Sequence, residues 1–240
     1  MPSAYLLVSH GSRDPRPEIA MQQLAGLISD KLQSKNKPEK LVSIGYLELS
    51  PEPLHEQIKK FAESAFACGC NCLKVIPLFL LPGVHVMKDI PDEVALAQQA
   101  LGQDIIIDLQ PYLGSDPSLR GLLAKQITGQ NKQAWILLAH GSRRPGSQQP
   151  VEAMAASIGA VAAYWSIAPS LESQVKELIA IGKREIAILP YFLFAGGITD
   201  AIAQSVETLK LQFPLVRFYL AEPLGASAEL AELIWDLIDT

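Results

Sequence analysis

The chain has 240 residues, 49% of them hydrophobic and 19% charged, enough for one large or two small domains with cores of their own. A net charge of −5 argues against a general nucleic-acid surface, which needs a basic face. No apolar run approaches the roughly 20 residues of a membrane helix, MPSAYLLVSH lacks the basic start of a signal peptide, and three cysteines make no paired framework. The expectation is therefore a soluble cytoplasmic protein that contacts neither nucleic acid nor membrane.

In chain order, AYLLVS (4–9) reads as a strand and runs into the turn HGSRDPR. A helix is predicted over 17–33, a strand over 40–47, a helix over 53–66, and a strand over 73–79. An apolar loop, LFLLPGVHVMKDIP, leads into a helix over 88–101, followed by a strand over 104–109 and a helix over 117–127. The strands are apolar almost throughout, as parallel strands covered on both faces are. The helices carry one apolar face each, and Pro17, Pro53 and Pro117 fall near first turns, where proline is tolerated. Between the second helix and third strand stands CGCNC, with Cys68, Cys70 and Cys72. It reads as a helix end with packed thiols, because zinc and iron–sulfur sites usually draw on separated cysteine pairs.

The second half repeats the plan. Strands are predicted at 134–139, 160–167, 184–192 and 215–221, and helices at about 147–159, 170–182, 198–212 and 226–238. HGSR at 10–13 answers HGSR at 140–143, and GYLELSP (45–51) answers AYWSIAP (163–169). VIPLFLLPG (75–83) answers ILPYFLFAG (188–196), and PYLG (111–114) answers EPLG (222–225). Matches in one order mean an internal duplication. The expected architecture is two similar parallel-sheet α/β domains, 1–128 and 134–240, facing across a cleft, with the polar joint TGQNKQ (128–133) between them.

Ligands of parallel α/β domains bind beyond the carboxyl ends of the strands. On that rim the first half presents His10, Glu48 and His85. Two imidazoles and a carboxylate are a common donor set for a divalent transition metal, and a carboxylate there can also accept protons. Read singly, each residue has a structural alternative: a hydrogen-bonded histidine, or a carboxylate capping the next helix. The pattern alone leaves both readings open. His55, inside a predicted helix, reads as packing or solvation. The second half keeps His140, but sets Ser166 or Ile167 against Glu48 and Ile198 against His85, so its version of the site is degenerate. Ser142, Arg143 and Arg144 there offer donors to anions.

SHGSRDP, YLELSPEPL and VIPLFLLPGVHVMKDIP together resemble the class II tetrapyrrole chelatases, and the whole duplicated chain resembles their two-repeat sirohydrochlorin cobalto- and ferrochelatases. That resemblance implies insertion of Co2+ or Fe2+ into sirohydrochlorin, on the way to cobalamin or sirohaem, with no organic cofactor. It implies His10 and His85 as metal donors, with Glu48 binding metal or accepting protons. Ser12, Arg13, Pro82, Gly83, Val84, Lys88, His140, Ser142 and Arg143 would meet the acidic macrocycle. The histidine-rich or cysteine-rich tail of some relatives is absent from LAELIWDLIDT. Single-repeat relatives must pair to form a cleft, whereas one chain here supplies both halves, so a monomer suffices.

Three rival readings carry different expectations. A histidine phosphatase also begins with HG after a first strand, but needs Arg before the histidine, where this chain has Ser9 and Ala139. A metal or tetrapyrrole carrier would use the same donors without turnover. A related chelatase would take another ring, such as protoporphyrin.

Overall fold

Seven apolar-rich residues at the start of the chain, Ser3–Ser9, form β1, buried along nearly its whole length. The structure, a computed structural model, describes residues 3–33, 41–127 and 133–238. The first repeat continues with α1 (Pro15–Gln33), β2 (Val42–Tyr46), α2 (Leu54–Ala67), β3 (Cys72–Pro77), a π-helical turn (His85–Asp89), α3 (Ile90–Leu101), β4 (Ile106–Leu109) and α4 (Ser118–Ile127). The second repeat gives β5 (Ala134–Ala139), α5 (Gln149–Ser157), β6 (Val161–Tyr164), α6 (Leu171–Ala180), β7 (Glu185–Pro190), α7 (Gly197–Gln212), β8 (Arg217–Leu220) and α8 (Ala228–Ile238). Every predicted strand and helix forms, with ends shifted by a few residues. Lys40 of the second predicted strand, and 128–132 of the polar joint, lie outside the described residues. Among the described residues no helix is long and apolar enough to cross a membrane.

The strands make two four-stranded sheets of matching order, β2-β1-β3-β4 and β6-β5-β7-β8, and every pairing is parallel. β1 and β3 lie centrally in the first sheet, which is why their sequences are the most continuously apolar. Helices cover the sheets through stripes of helical period. α1 buries Met21, Leu24, Ile28 and Leu32, and α2 buries Leu54, Ile58, Ala62 and Ala65. Each buried Leu, Ile or Met contributes about 1.5–3 kcal/mol. In the second repeat, α6 and α7 pack Leu171, Val175, Ile202, Val206 and Leu209 on Ile136, Leu138, Ile186 and Ile188.

The compact units do not coincide with the repeats at 1–128 and 134–240. One unit is Met1–Asp116 with Ala226–Thr240, and the other is Pro117–Gly225. Each repeat thus gives its last helix to the unit built on the other repeat's sheet. In the first unit Trp235 of α8 meets Tyr5 of β1 with ring centroids 6.4 Å apart, and Lys74 Nζ of β3 donates to the Ile238 carbonyl at 2.6 Å. CGCNC closes α2, with Cys70 N–H reaching back to the Ala65 carbonyl and Gly69 N–H to the Phe66 carbonyl, a Schellman ending. Cys68 is exposed, Cys70 buried and Cys72 half-buried.

Candidate metal centre

All three donors predicted at the rim lie in the first unit. His10 follows β1 directly. The parallel ladder runs on beyond β2: Leu47 N–H donates to the Ser9 carbonyl and Glu48 N–H to the His10 carbonyl, each at 2.9 Å. Those two bonds set Glu48 beside His10, with Glu48 Oε2 3.8 Å from His10 Nε2. The next residue, Leu49, has φ 58°, a left-handed conformation that non-glycine residues rarely adopt and that recurs at functional sites.

The loop after Glu48 is clamped by Gln57 of α2. Its Oε1 accepts from Tyr46 N–H at 3.0 Å, and its Nε2 donates to the Tyr46 and Glu52 carbonyls at 2.9 and 2.8 Å. At roughly 1 kcal/mol net per hydrogen bond, Gln57→Ala should destabilise the fold by about 1–3 kcal/mol. Urea unfolding would show this as a lower midpoint at unchanged slope, and the Co2+ affinity should fall with it as Glu48 loosens.

His85 arrives by the third strand. Leu78 N–H donates to the Val8 carbonyl at 2.7 Å, and Gly114 N–H ties the Phe79 carbonyl at 2.8 Å. A Cβ on Gly114 would stand 1.9 Å from the Leu80 carbonyl oxygen, so only glycine lets the two loops approach this closely. The His85 ring meets that of His10 edge-on, with centroids 4.9 Å apart, and lies 6.2 Å from Phe79. One donor atom from each of His10, Glu48 and His85 lies within 4.8 Å of the others. Ligand atoms around an ion at about 2.1 Å sit roughly 3–4 Å apart, so closing on a metal needs a contraction near 1 Å. The side chains of His10 and Glu48 are half exposed and that of His85 is 29% exposed, so the donor set opens to solvent.

Around this trio stand the other predicted residues of the first unit. Ser12 Oγ accepts from Asp14 N–H at 3.0 Å, shaping the turn after His10. Asp14 in turn accepts from Arg16, which holds its carboxyl at about pKa 2. Arg13 is exposed, as are Pro82 and Gly83, while Val84 is half-buried. Lys88 is exposed and 3.7 Å from Asp92. Leu49, next to Glu48, and Met87, two residues after His85, expose 56% and 67% of their surface. His140, Ser142 and Arg143 lie in the second unit. There Ser166 takes the place of Glu48: its N–H donates to the His140 carbonyl at 2.9 Å and its Oγ at 2.8 Å. This fixes the match that sequence left between Ser166 and Ile167. Ser142, Arg143 and Arg144 line a cavity of about 660 Å³ with Gln148, Glu152 and Ile167. Among the described residues, neither His140 nor the cysteines form a donor group like that of the first unit. His55 is engaged elsewhere, its backbone N–H and Nδ1 both bound to Glu93 at 2.7 and 2.8 Å.

Sequence reading missed Asp89, whose Oδ2 lies 2.8 Å from His85 Nδ1. The available signal was the spacing of four between His85, in the predicted loop, and Asp89, at the predicted start of the next helix. It also missed Leu49, since nothing in ELSP announces a left-handed backbone.

Comparison with known proteins gives the family. The CbiX family model matches residues 4–130 and again 134–240, one match per repeat. The chain belongs to the CbiX family. Within it, a sirohydrochlorin ferrochelatase of Priestia megaterium is 25% identical, over 99% of this chain and 90% of its own length. A sirohydrochlorin cobaltochelatase of the same organism is 24% identical, over 95% and 76%. A sirohydrochlorin cobaltochelatase of Methanosarcina acetivorans is 29% identical over 51% of this chain and 92% of its own length, so it corresponds to about one repeat. The CbiX fold found here is shared with SirB from Bacillus subtilis with Fe3+, at TM-score 0.79 and 23% identity, covering 100% of this chain and 95% of that one.

Proposed function

We propose that this chain inserts Co2+ or Fe2+ into sirohydrochlorin, with His10, Glu48 and His85 as the working residues. The observation that carries the reading is the meeting of two imidazoles and one carboxylate within 4.8 Å, in a chain whose two repeats both match the CbiX family. Neutral imidazoles hold a dication yet let it go as the ring nitrogens take over. A free-base tetrapyrrole loses two N–H protons when one dication enters. Glu48, half exposed, is placed to accept a proton and pass it to water. Leu49, Met87 and the loop Pro82–Val84 offer apolar surface to the macrocycle, and Arg13 and Lys88 offer cations to its carboxylates. Within the second unit, His140, Ser142 and Arg143 are proposed to offer hydrogen-bond donors to carboxylates. The metal is substrate, no organic cofactor takes part, and one chain of two repeats suffices.

The test is absorbance-monitored insertion with sirohydrochlorin and Co2+, Fe2+ or Ni2+ under multiple turnover. Wild type should metallate many rings per protein molecule. His85→Ala should lose most activity with its circular dichroism unchanged, and Glu48→Gln should lose about 10²-fold, the usual worth of a proton acceptor. A single metallated ring per protein molecule would make it a carrier, and near-normal turnover in His85→Ala would remove that residue from the mechanism.

A further inference from the structure

We propose that Asp89 is a positioning residue for metal capture, set under His85 by one extra residue that only the first repeat possesses. The inference rests on the reading of His85 as a metal donor.

The duplication supplies an internal control. The strand ends correspond at a separation of 113: Leu78 N–H binds the Val8 carbonyl as Tyr191 N–H binds the Leu138 carbonyl, and Gly83 matches Gly196. The buried faces of the following helices correspond at 112 instead. Ile90 and Ala97 of α3 match Ile202 and Leu209 of α7, all at most 3% exposed. One residue is therefore extra in the first repeat. Between Val86 and Ile90 it has Met87, Lys88 and Asp89, where the second has only Asp200 and Ala201 between Thr199 and Ile202.

The extra residue is taken up as the π turn. Ile90 N–H reaches the His85 carbonyl, five residues back. In the second repeat the chain enters α7 directly at Gly197, with Asp200 N–H on the Gly196 carbonyl at the ordinary spacing of four. Residues four apart on a helical turn share one face. Asp89 comes to lie with Oδ2 2.8 Å from His85 Nδ1. Where the histidine is Ile198, the residue before the buried isoleucine is Ala201, and the extra residue is gone. Histidine, aspartate and π turn occur together in one repeat and are all missing from the other.

The chemistry of the pair fixes its direction. An ionised carboxylate only accepts, so Nδ1 carries the proton and donates it. In the neutral ring that leaves the Nε2 lone pair for a metal and fixes the ring's rotation, as outer carboxylates do for ligating histidines.

The experiment uses the full chain and Co2+ alone, without tetrapyrrole, comparing wild type, Asp89→Ala, Asp89→Asn and His85→Ala. Co2+ affinity is read by calorimetry and by visible absorption, and the His85 tautomer by ¹⁵N NMR. Asp89→Ala should weaken Co2+ binding about 10- to 100-fold, lose the fixed Nδ1–H signal and leave the melting temperature nearly unchanged. Asp89→Asn, which can still accept through its amide oxygen, should recover part of both. In turnover, Asp89→Ala should raise KM for metal while KM for sirohydrochlorin holds. Unchanged Co2+ affinity and tautomer in Asp89→Ala, with binding lost in His85→Ala, overturns the role of Asp89 and leaves the metal site standing. Unchanged binding in His85→Ala overturns both.

Discussion

A chain cut after Gly225 should fail to fold its first unit and should lose Co2+ binding, although His10, Glu48 and His85 all remain in it. The reason is α8. It belongs to the second repeat by sequence but to the first unit by packing, and it buries Leu230, Leu233, Ile234, Trp235 and Ile238, none more than 6% exposed. At about 1.5–3 kcal/mol for each large side chain, those five amount to roughly the whole net stability of a domain, about 5–15 kcal/mol. The cut also removes the Lys74 bond to the Ile238 carbonyl and the ion pair between Lys31 and Glu232. It strips the cover from Tyr5, which β1 needs to stay dry. Trp235→Ala is the milder form. It should cost about 3–5 kcal/mol, leave a folded protein with a lower melting temperature, and retain Co2+ binding below that temperature. Circular dichroism, amide dispersion in NMR and Co2+ titration of the two variants decide the matter. A fragment of residues 1–225 that binds Co2+ like the intact chain would show that α8 is dispensable to the first unit.

That exchange of last helices could not be read from the chain. Periodicity in AELAELIWDLI announces a helix with a strong apolar face, and it does form, at Ala228–Ile238. Which sheet receives that face is settled by packing between segments far apart in the chain, Tyr5 with Trp235 and Lys74 with Ile238, which no local pattern encodes. The strands were legible because burial on both faces demands an apolar residue at nearly every position. The trio was legible for a related reason: strand ends on one side of a parallel sheet share a rim, so His10 and Glu48 had to be neighbours once their strands paired. Glu48 and His10 are in fact joined through the backbone. Asp89 was hard to single out because a spacing of four is common along any helix and does not by itself name a histidine's partner. The extra residue taken up in the π turn shows in the sequence only after the buried positions of α3 and α7 have been matched. Leu49 was hidden because its strain belongs to the backbone and not to the residue type.

The second large effect is expected from the smallest change, Gly11→Ala. Gly11 follows His10 with φ +96°, a conformation that costs other residues about 1–3 kcal/mol. An added Cβ would stand 2.1 Å from the Glu48 carbonyl oxygen, where contacts below 3.0 Å essentially do not occur, so the backbone of Glu48 must retreat by about 0.9 Å. That oxygen belongs to the residue whose N–H is bonded to the His10 carbonyl, so the retreat pulls apart the two donors that the bond holds together. Misplacement of a reacting group by about 1 Å costs roughly 10²-fold in rate. The variant should therefore fold with a modestly reduced melting temperature while losing about 10²-fold in turnover and most of its Co2+ affinity. Gly141→Ala is its control in the other repeat. There the Cβ would meet the Ile167 side chain at 2.7 Å, which disturbs stability but touches none of the three donors. Equal losses of Co2+ affinity in both variants would mean that the effect comes from general destabilisation. A loss confined to Gly11→Ala would tie metal capture to the close approach of two strand ends, a distance that no side chain other than hydrogen permits.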